Sequence, residues 1–334
     1  MGTSASKRKG GELNEGVYCS KTDSGAAEDV VEVTVCREDD LENGEMKVYE
    51  LGQQGSVLLV KEDGTFSALG TKCTHYNAPL IKGVLSNGKI RCPWHGACFN
   101  SKTGDIEDFP GLDSLPCYRV RVDGGEVKVS ASSHEVGKNK RVKPTSKRTV
   151  DDKRTFIVIG GVWFLNQFTG VLPSTEFLEN TNIKLNTSKQ IVVDEYMKTN
   201  VDGIFAGGDI VEFPLTVMDA RVNIGHWQLA MAHGRCAALN MLNKNEKLLT
   251  VPFFWSMLFG KSVRYAGYGG KFDKITMHGD AHKLQFVAYY IREGKVVAVA
   301  SMNNDPIAAK FASLLLSGKA LTKDDVECSS EEWP

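Results

Sequence analysis

Cys73-Thr74-His75 and Cys92-Pro93-Trp94-His95, with the sixteen residues Tyr76 to Arg91 between them, decide how this chain is read. Each pair joins one thiol to one imidazole. A [2Fe–2S] cluster that takes two thiolates on one iron and two imidazoles on the other needs such mixed pairs. Two cysteines and two histidines also suit a tetrahedral zinc ion, although zinc motifs usually pair Cys with Cys and His with His, so zinc stays as the alternative. Turn signals at Asn77-Ala78-Pro79 and Ser86-Asn87-Gly88 flank Leu80 to Leu85. The chain can therefore leave the first loop, make a hairpin and return, so that two loop tips clamp one centre.

Outward from these loops, short β-branched runs are separated by turn pairs. Val30 to Val35, Lys47 to Leu51, Ser56 to Val60 and Thr65 to Leu69 are divided by Asn43-Gly44, Gln54-Gly55 and Asp63-Gly64. Tyr118 to Val122 and Glu126 to Val129 make a closing hairpin around Asp123-Gly124-Gly125. This pattern predicts a small antiparallel barrel or sandwich over residues 29–131. Residues 1–28 are polar and short of core formers, which predicts a disordered tail. The stretch 132–154 holds eight Lys or Arg with almost no apolar content, which predicts a solvated basic linker; a nuclear-import or acidic-partner patch is the other reading.

At 334 residues the chain exceeds one domain. A net charge of −1 removes a general electrostatic case for nucleic acid. Of eight cysteines, two lie in the paired loops and the other six are scattered as Cys19, Cys36, Cys98, Cys117, Cys236 and Cys328, which does not look like a disulfide framework and fits a reducing intracellular setting. The apolar runs Phe156 to Leu165 and Val251 to Phe259 are too short to span a bilayer. Gly2, in Met1-Gly2-Thr3-Ser4-Ala5-Ser6, fits the myristoylation pattern and is followed by Lys7-Arg8-Lys9, so membrane attachment stands beside a plain flexible tail.

The second half, residues 155–250, opens as a buried strand, Thr155 to Ile159, running into Gly160 and Gly161. A dinucleotide-binding unit starts in this way, but no phosphate-binding helix follows. Further on, Thr199 to Ala206 predicts an apolar strand leading to Gly207-Gly208-Asp209. A carboxylate at the end of a strand can accept from sugar hydroxyls while glycines admit a ligand closely; the alternative is a plain strand-to-loop turn. His226 and Trp227 then open an alanine-rich helix that runs to Leu242, where Trp227 is either a ring-contacting residue or a core anchor. Residues 251–334 predict an α+β unit: strands at Arg264 to Gly269, Lys283 to Ile291 and Val296 to Ser301, then a helix from Ile307 to Leu316 stopped by Gly318, with no chemistry of its own.

The cluster loops, Asp108-Phe109-Pro110-Gly111-Leu112-Asp113-Ser114-Leu115 and Phe259-Gly260-Lys261-Ser262-Val263-Arg264-Tyr265-Ala266-Gly267-Tyr268-Gly269 together resemble the apoptosis-inducing-factor-like flavoproteins that carry an N-terminal Rieske domain. The resemblance implies a multidomain chain: an all-β Rieske [2Fe–2S] domain, a truncated α/β FAD-binding domain of the pyridine nucleotide-disulfide reductase type, and a C-terminal α+β reductase domain. It implies Cys73, His75, Cys92 and His95 as iron ligands, and FAD against Gly160, Gly161, Gly208, Asp209, His226 and Trp227. It further implies electron exchange with NAD(P)H, an unidentified redox partner protein or small acceptor, a pro-apoptotic association and a mitochondrial one. The chain departs from the family at Val162 to Thr169, eight residues where a whole nicotinamide domain is expected. Hydride transfer then lacks its binding sites, and a non-catalytic interaction protein becomes the second reading. The disulfide cysteines and sulfide-bonding serine of the cytochrome-complex Rieske proteins are replaced by residues such as Ala78, Trp94 and Ala97. This implies a potential near the low end of the roughly −150 to +300 mV Rieske range.

Overall fold

The computed structural model describes residues 30–136, 138–142 and 173–328. Gly2, Cys19, Gly160, Gly161 and the Val162 to Thr169 junction lie outside those residues.

The N-terminal unit is all β. Strands β1 (Val30–Arg37), β2 (Glu45–Glu50), β3 (Ser56–Glu62), β4 (Thr65–Leu69), β9 (Cys117–Asp123) and β10 (Glu126–Ser132) form an antiparallel sheet in the order β1-β10-β9-β4-β3-β2. Asp63-Gly64 turns at φ 52° and 69°, and Gly124-Gly125 at 60° and 80°. These are the left-handed pairs whose twist matches tight hairpins. Alternation along β3 fills two cores. Leu58 and Val60 join Leu69, Ile90 and Phe99, while Val57 and Leu59 join Ala68, Val127 and Val129. With the side-chain period of two, this puts β3 between two apolar layers.

Inserted between β4 and β9, a second antiparallel sheet carries the ligand loops: β5 (Val84–Ser86), β6 (Lys89–Arg91), β7 (Cys98–Asn100) and β8 (Ile106–Asp108), in that order. The expected hairpin turns at Asn87-Gly88 (φ 51° and 72°), and Leu80–Lys82 is a 3-10 turn that leads into it. After β10, a short helix α1 (Ser133–Val136) precedes the basic stretch. There Arg141 is not free in solvent: it donates to Leu115 O at 3.0 Å and Thr103 O at 2.8 Å and pairs with Asp105 at 2.6 Å.

The middle unit is thin. Strands β11 (Ile191–Val192) and β12 (Val211–Leu215) form a parallel pair, β13 (Ala220–Val222) adds antiparallel, and helix α2 (Trp227–Met241) shares their core through Leu229, Ala232, Cys236 and Ala237. The strand expected over Thr199 to Ala206 is a correction: only the bridge Lys198↔Phe205 forms. Thr199 Oγ1 accepts from Val201 N–H and donates to Ile204 O, and Asp202-Gly203 turns the chain with Gly203 at φ 74°. Local side-chain bonds thus displace the ladder.

At the C-terminal end, β14 (Phe253–Leu258), β15 (Lys261–Gly267), β16 (Lys274–Asp280), β17 (Gln285–Arg292) and β18 (Lys295–Met302) form an antiparallel sheet in the order β14-β15-β18-β17-β16. Helix α3 (Ile307–Leu316) lays Ala308, Phe311, Ala312 and Leu315 into the core it shares with Phe253, Ala266 and Val299 and ends before Gly318, at φ 73°. A last helix, α4 (Lys323–Cys328), follows. Among the described residues no helix is long and apolar enough to cross a membrane, and no disulfide joins the cysteines.

Candidate metal centre

The two ligand loops are built alike. Cys73 N–H donates to Ala78 O at 2.8 Å, and Asn77 N–H donates to Cys73 O at 2.9 Å. Cys92 N–H donates to Ala97 O at 2.8 Å, and Gly96 N–H to Cys92 O at 3.2 Å. The fourth residue after each cysteine is left-handed, Asn77 at φ 60° and Gly96 at 72°, which asparagine and glycine adopt most readily. Each loop therefore curls back over its own cysteine. The backbone N–H groups of His75 and Tyr76 point at the Cys73 sulfur, and those of Trp94 and His95 at the Cys92 sulfur.

This symmetry brings like with like. The Cys73 thiol faces the Cys92 sulfur and hydrogen-bonds to it, which pushes Cys73 up and Cys92 down from their ordinary values. His75 Nδ1 and His95 Nδ1 stand 3.1 Å apart. Burial lowers both imidazoles, His95 to about 4, so both are neutral and able to ligate. Among the described residues no group of three or more Cys, His, Asp or Glu side chains is gathered about a single point. A thiol pair beside an imidazole pair is the donor set of a two-iron centre. Cys98, in β7, is buried and its thiol is pushed up by burial, as suits a small core residue.

The imidazoles are half-buried, with an aromatic ring packed on one side. Strand β14 sets Trp255 against them, with ring centroids 4.6 Å from His95 and 6.2 Å from His75. Its neighbour Phe253 is fully buried and lies so close that a Cβ on Gly96 would fall 2.7 Å from the ring. From β15, buried Arg264 donates through Nε to Trp94 O at 2.7 Å. The C-terminal unit, in which the sequence shows no chemistry, covers the centre. The apolar run containing Phe253-Phe254-Trp255 is the available signal. Its destination, 170 residues away for Arg264 and Trp94, has no local trace.

Trp255 also lies near the residues expected to meet a flavin. Trp227 is 5.7 Å and His226 6.3 Å from the Trp255 ring, centroid to centroid. The Asp209 carboxylate acts on His226, while Gly208, at φ 88°, donates its N–H to His233 Nδ1 at 3.2 Å. Gly208, Asp209, His226 and Trp227 thus gather at the start of α2. His226 Nδ1 is buried without a partner, and the space a Cβ on Gly208 would take is open to 3.9 Å. These features fit the sugar and ring edge of FAD. Gly160 and Gly161, expected at the pyrophosphate, lie outside the described residues. Gln228 Nε2 meanwhile donates to Phe109 O at 2.7 Å, tying α2 to the loop after β8.

Family comparisons match this architecture in order: the Rieske [2Fe-2S] domain over residues 31–119, the pyridine nucleotide-disulphide oxidoreductase family over 119–234 and the reductase C-terminal family over 253–330. Apoptosis-inducing factor 3 of Mus musculus is 30% identical over 523 positions, covering 90% of this chain and 86% of that protein. Apoptosis-inducing factor 3 of Homo sapiens matches over the same shares at the same identity. The ferredoxin component of an alkene monooxygenase system from Xanthobacter autotrophicus is 36% identical over 101 residues, 30% of this chain and 81% of that one. A match of 523 positions cannot be filled by 334 residues, so the mouse and human proteins contain internal sequence with no counterpart here. Because the likeness extends over nearly the whole chain and not the cluster loops alone, this chain belongs to the apoptosis-inducing factor 3 family of electron-transfer oxidoreductases, whose cofactors are a [2Fe–2S] cluster and FAD.

Proposed function

We propose that this chain is a one-electron carrier in which Cys73 and Cys92 hold one iron of the cluster and His75 and His95 the other. The observation that carries the reading is the 3.1 Å approach of the two Nδ1 atoms beside the facing thiols of Cys73 and Cys92. When bound, such a cluster takes up and returns one electron at a time. The chain's own residues prepare that site: backbone N–H groups from both loops hold the thiolates, partial burial keeps the imidazoles neutral, and Trp255 packs against the His95 ring. Ala78 and Ala97 are buried and offer no hydroxyl or disulfide to the centre, so its potential lies toward the low end for this cluster type.

For the flavin half, Gly208, Asp209, His226 and Trp227 would hold the sugar and ring edge of FAD, with Gly160 and Gly161 at its pyrophosphate. We infer that FAD binds weakly or not at all and that NAD(P)H oxidation is lost, because the chain lacks internal sequence its full-length relatives possess. The electron partner is then a separate redox protein or small acceptor. A reducing compartment fits the described cysteines, none of which is joined in a disulfide; Gly2 acylation and a mitochondrial association remain part of this reading.

Iron, sulfide and zinc analysis of the purified chain, with electron paramagnetic resonance after reduction, tests the proposal. Iron with sulfide and a reduced-cluster signal is expected, lost in Cys73→Ser and altered in His95→Cys. Zinc without sulfide would overturn the cluster assignment. Stoichiometric FAD with sustained NADH oxidation would overturn the inference about the flavin half. The missing sequence also favours a second reading, a non-catalytic interaction protein acting in apoptosis as a competitor of a full-length form. A Cys73→Ser chain that keeps its full cellular effect would decide for that reading.

A further inference from the structure

Arg264 is a cation buried to 7% exposure, contributed by β15 of the C-terminal unit. Its Nε–H donates to Trp94 O at 2.7 Å. That oxygen belongs to the peptide group joining Trp94 to His95, and the N–H of the same group points at the Cys92 sulfur. Arginine, carbonyl, amide and thiolate therefore stand in series. A charged donor on the oxygen of an amide polarises its N–H, and hydrogen bonds in such a chain strengthen one another at low local dielectric. The remaining guanidinium contacts are Asp305, at 2.9 Å, and Ser262 Oγ, at 2.6 Å. Asp305 is a counter-charge that partly cancels the field of the arginine.

We propose that Arg264 is a positioning residue that sets the reduction potential of the cluster, by its charge and by polarising the Trp94–His95 peptide toward Cys92. Reduction adds one electron, and so one negative charge, to a centre already ligated by two thiolates. A buried positive charge and a strengthened N–H···S bond both favour the reduced form. The cluster potential is then coupled to docking of the C-terminal unit, since Arg264 reaches Trp94 only while β15 lies on the second ligand loop. Asp305 acts in the opposite sense and makes the effect adjustable.

This inference rests on the two-iron reading of the loops. The test is a redox titration of the full chain followed by electron paramagnetic resonance, comparing wild type, Arg264→Gln, Arg264→Lys and Asp305→Asn. Arg264→Gln is expected to lower the midpoint so that the reduced-to-oxidised ratio at a fixed ambient potential falls on the order of tenfold, about 59 mV for one electron. Asp305→Asn is expected to raise it, and Arg264→Lys, which keeps the charge, to stay near wild type. A loosened interface would shift Arg264→Gln and Asp305→Asn in the same direction, and that result, or an unchanged midpoint in Asp305→Asn, would overturn the proposal. If Arg264→Gln fails to load a cluster, Asp305→Asn still decides. Absence of any cluster signal in the wild type sinks the underlying reading instead.

Discussion

Trp255 and His95 stand ring to ring across the domain boundary, 4.6 Å between centroids and inclined at 38°. Trp255 also approaches Trp227 at 5.7 Å, so one indole touches both His95 and the start of α2. One face of the His95 ring is thereby covered by the C-terminal unit.

The contact predicts a spectroscopic signature. An indole within van der Waals reach of an iron–sulfur ligand loses its fluorescence to the cluster. Loading iron and sulfide into apo-protein is expected to quench a component that is missing in Trp255→Phe. Equal quenching in both proteins would show that Trp255 does not lie on His95.

Gly96 predicts a steric effect. Its backbone sits at φ 72°, and a Cβ at this position would fall 2.7 Å from the Phe253 ring, so Gly96→Ala meets both backbone strain and a clash. A destabilisation of about 1–3 kcal/mol is expected, read as a lower denaturation midpoint. The substitution should also raise protease accessibility of the boundary between the β14 strand and the second ligand loop. A neutral Gly96→Ala would mean that β14 does not press on that loop.

His233 predicts a pH dependence. The ring is 1% exposed, and burial lowers it from 6.5 to about 4. Nδ1 accepts from Gly208 N–H, so the neutral ring carries its proton on Nε2. As pH falls below 6.5 the unfolded chain takes up a proton that the folded chain refuses until about 4. Stability from this group is therefore full above 6.5, declines between 6.5 and about 4, and is level below. The full loss is on the order of 3 kcal/mol. Denaturant midpoints across that range should show a shallower acid slope for His233→Gln than for wild type, and parallel slopes would refute the assignment.

Arg141 predicts that the basic stretch is partly structural. It makes two bonds to backbone carbonyls and an ion pair with Asp105, itself largely shielded. Arg141→Ala is expected to cost about 1–3 kcal/mol, whereas Lys138→Ala, whose side chain is exposed, should fall within about 0.5 kcal/mol of wild type. Equal effects from the two substitutions would return Arg141 to the solvent.

Whatever depends on neighbours along the chain is legible in the residues alone. Turn pairs such as Asp63-Gly64 and Asn87-Gly88 set hairpins because few residues tolerate left-handed backbone, and the helix from Ile307 to Leu316 ends where Gly318 admits that conformation. The mixed Cys and His pairs are legible for the same reason, since each ligand loop closes on its own cysteine within five residues. Thr199 to Ala206 misleads because apolar content reads as strand, while Thr199 and Gly203 favour a turn. What surrounds the centre is a different matter, settled by folding. Trp255, Phe253 and Arg264 reach the ligand loops from far along the chain, through packing and one hydrogen bond whose energies depend on sheet register and domain docking. No local propensity encodes those distances, and so the covered face of His95 and the arginine above Trp94 emerge only when the two ends of the chain meet.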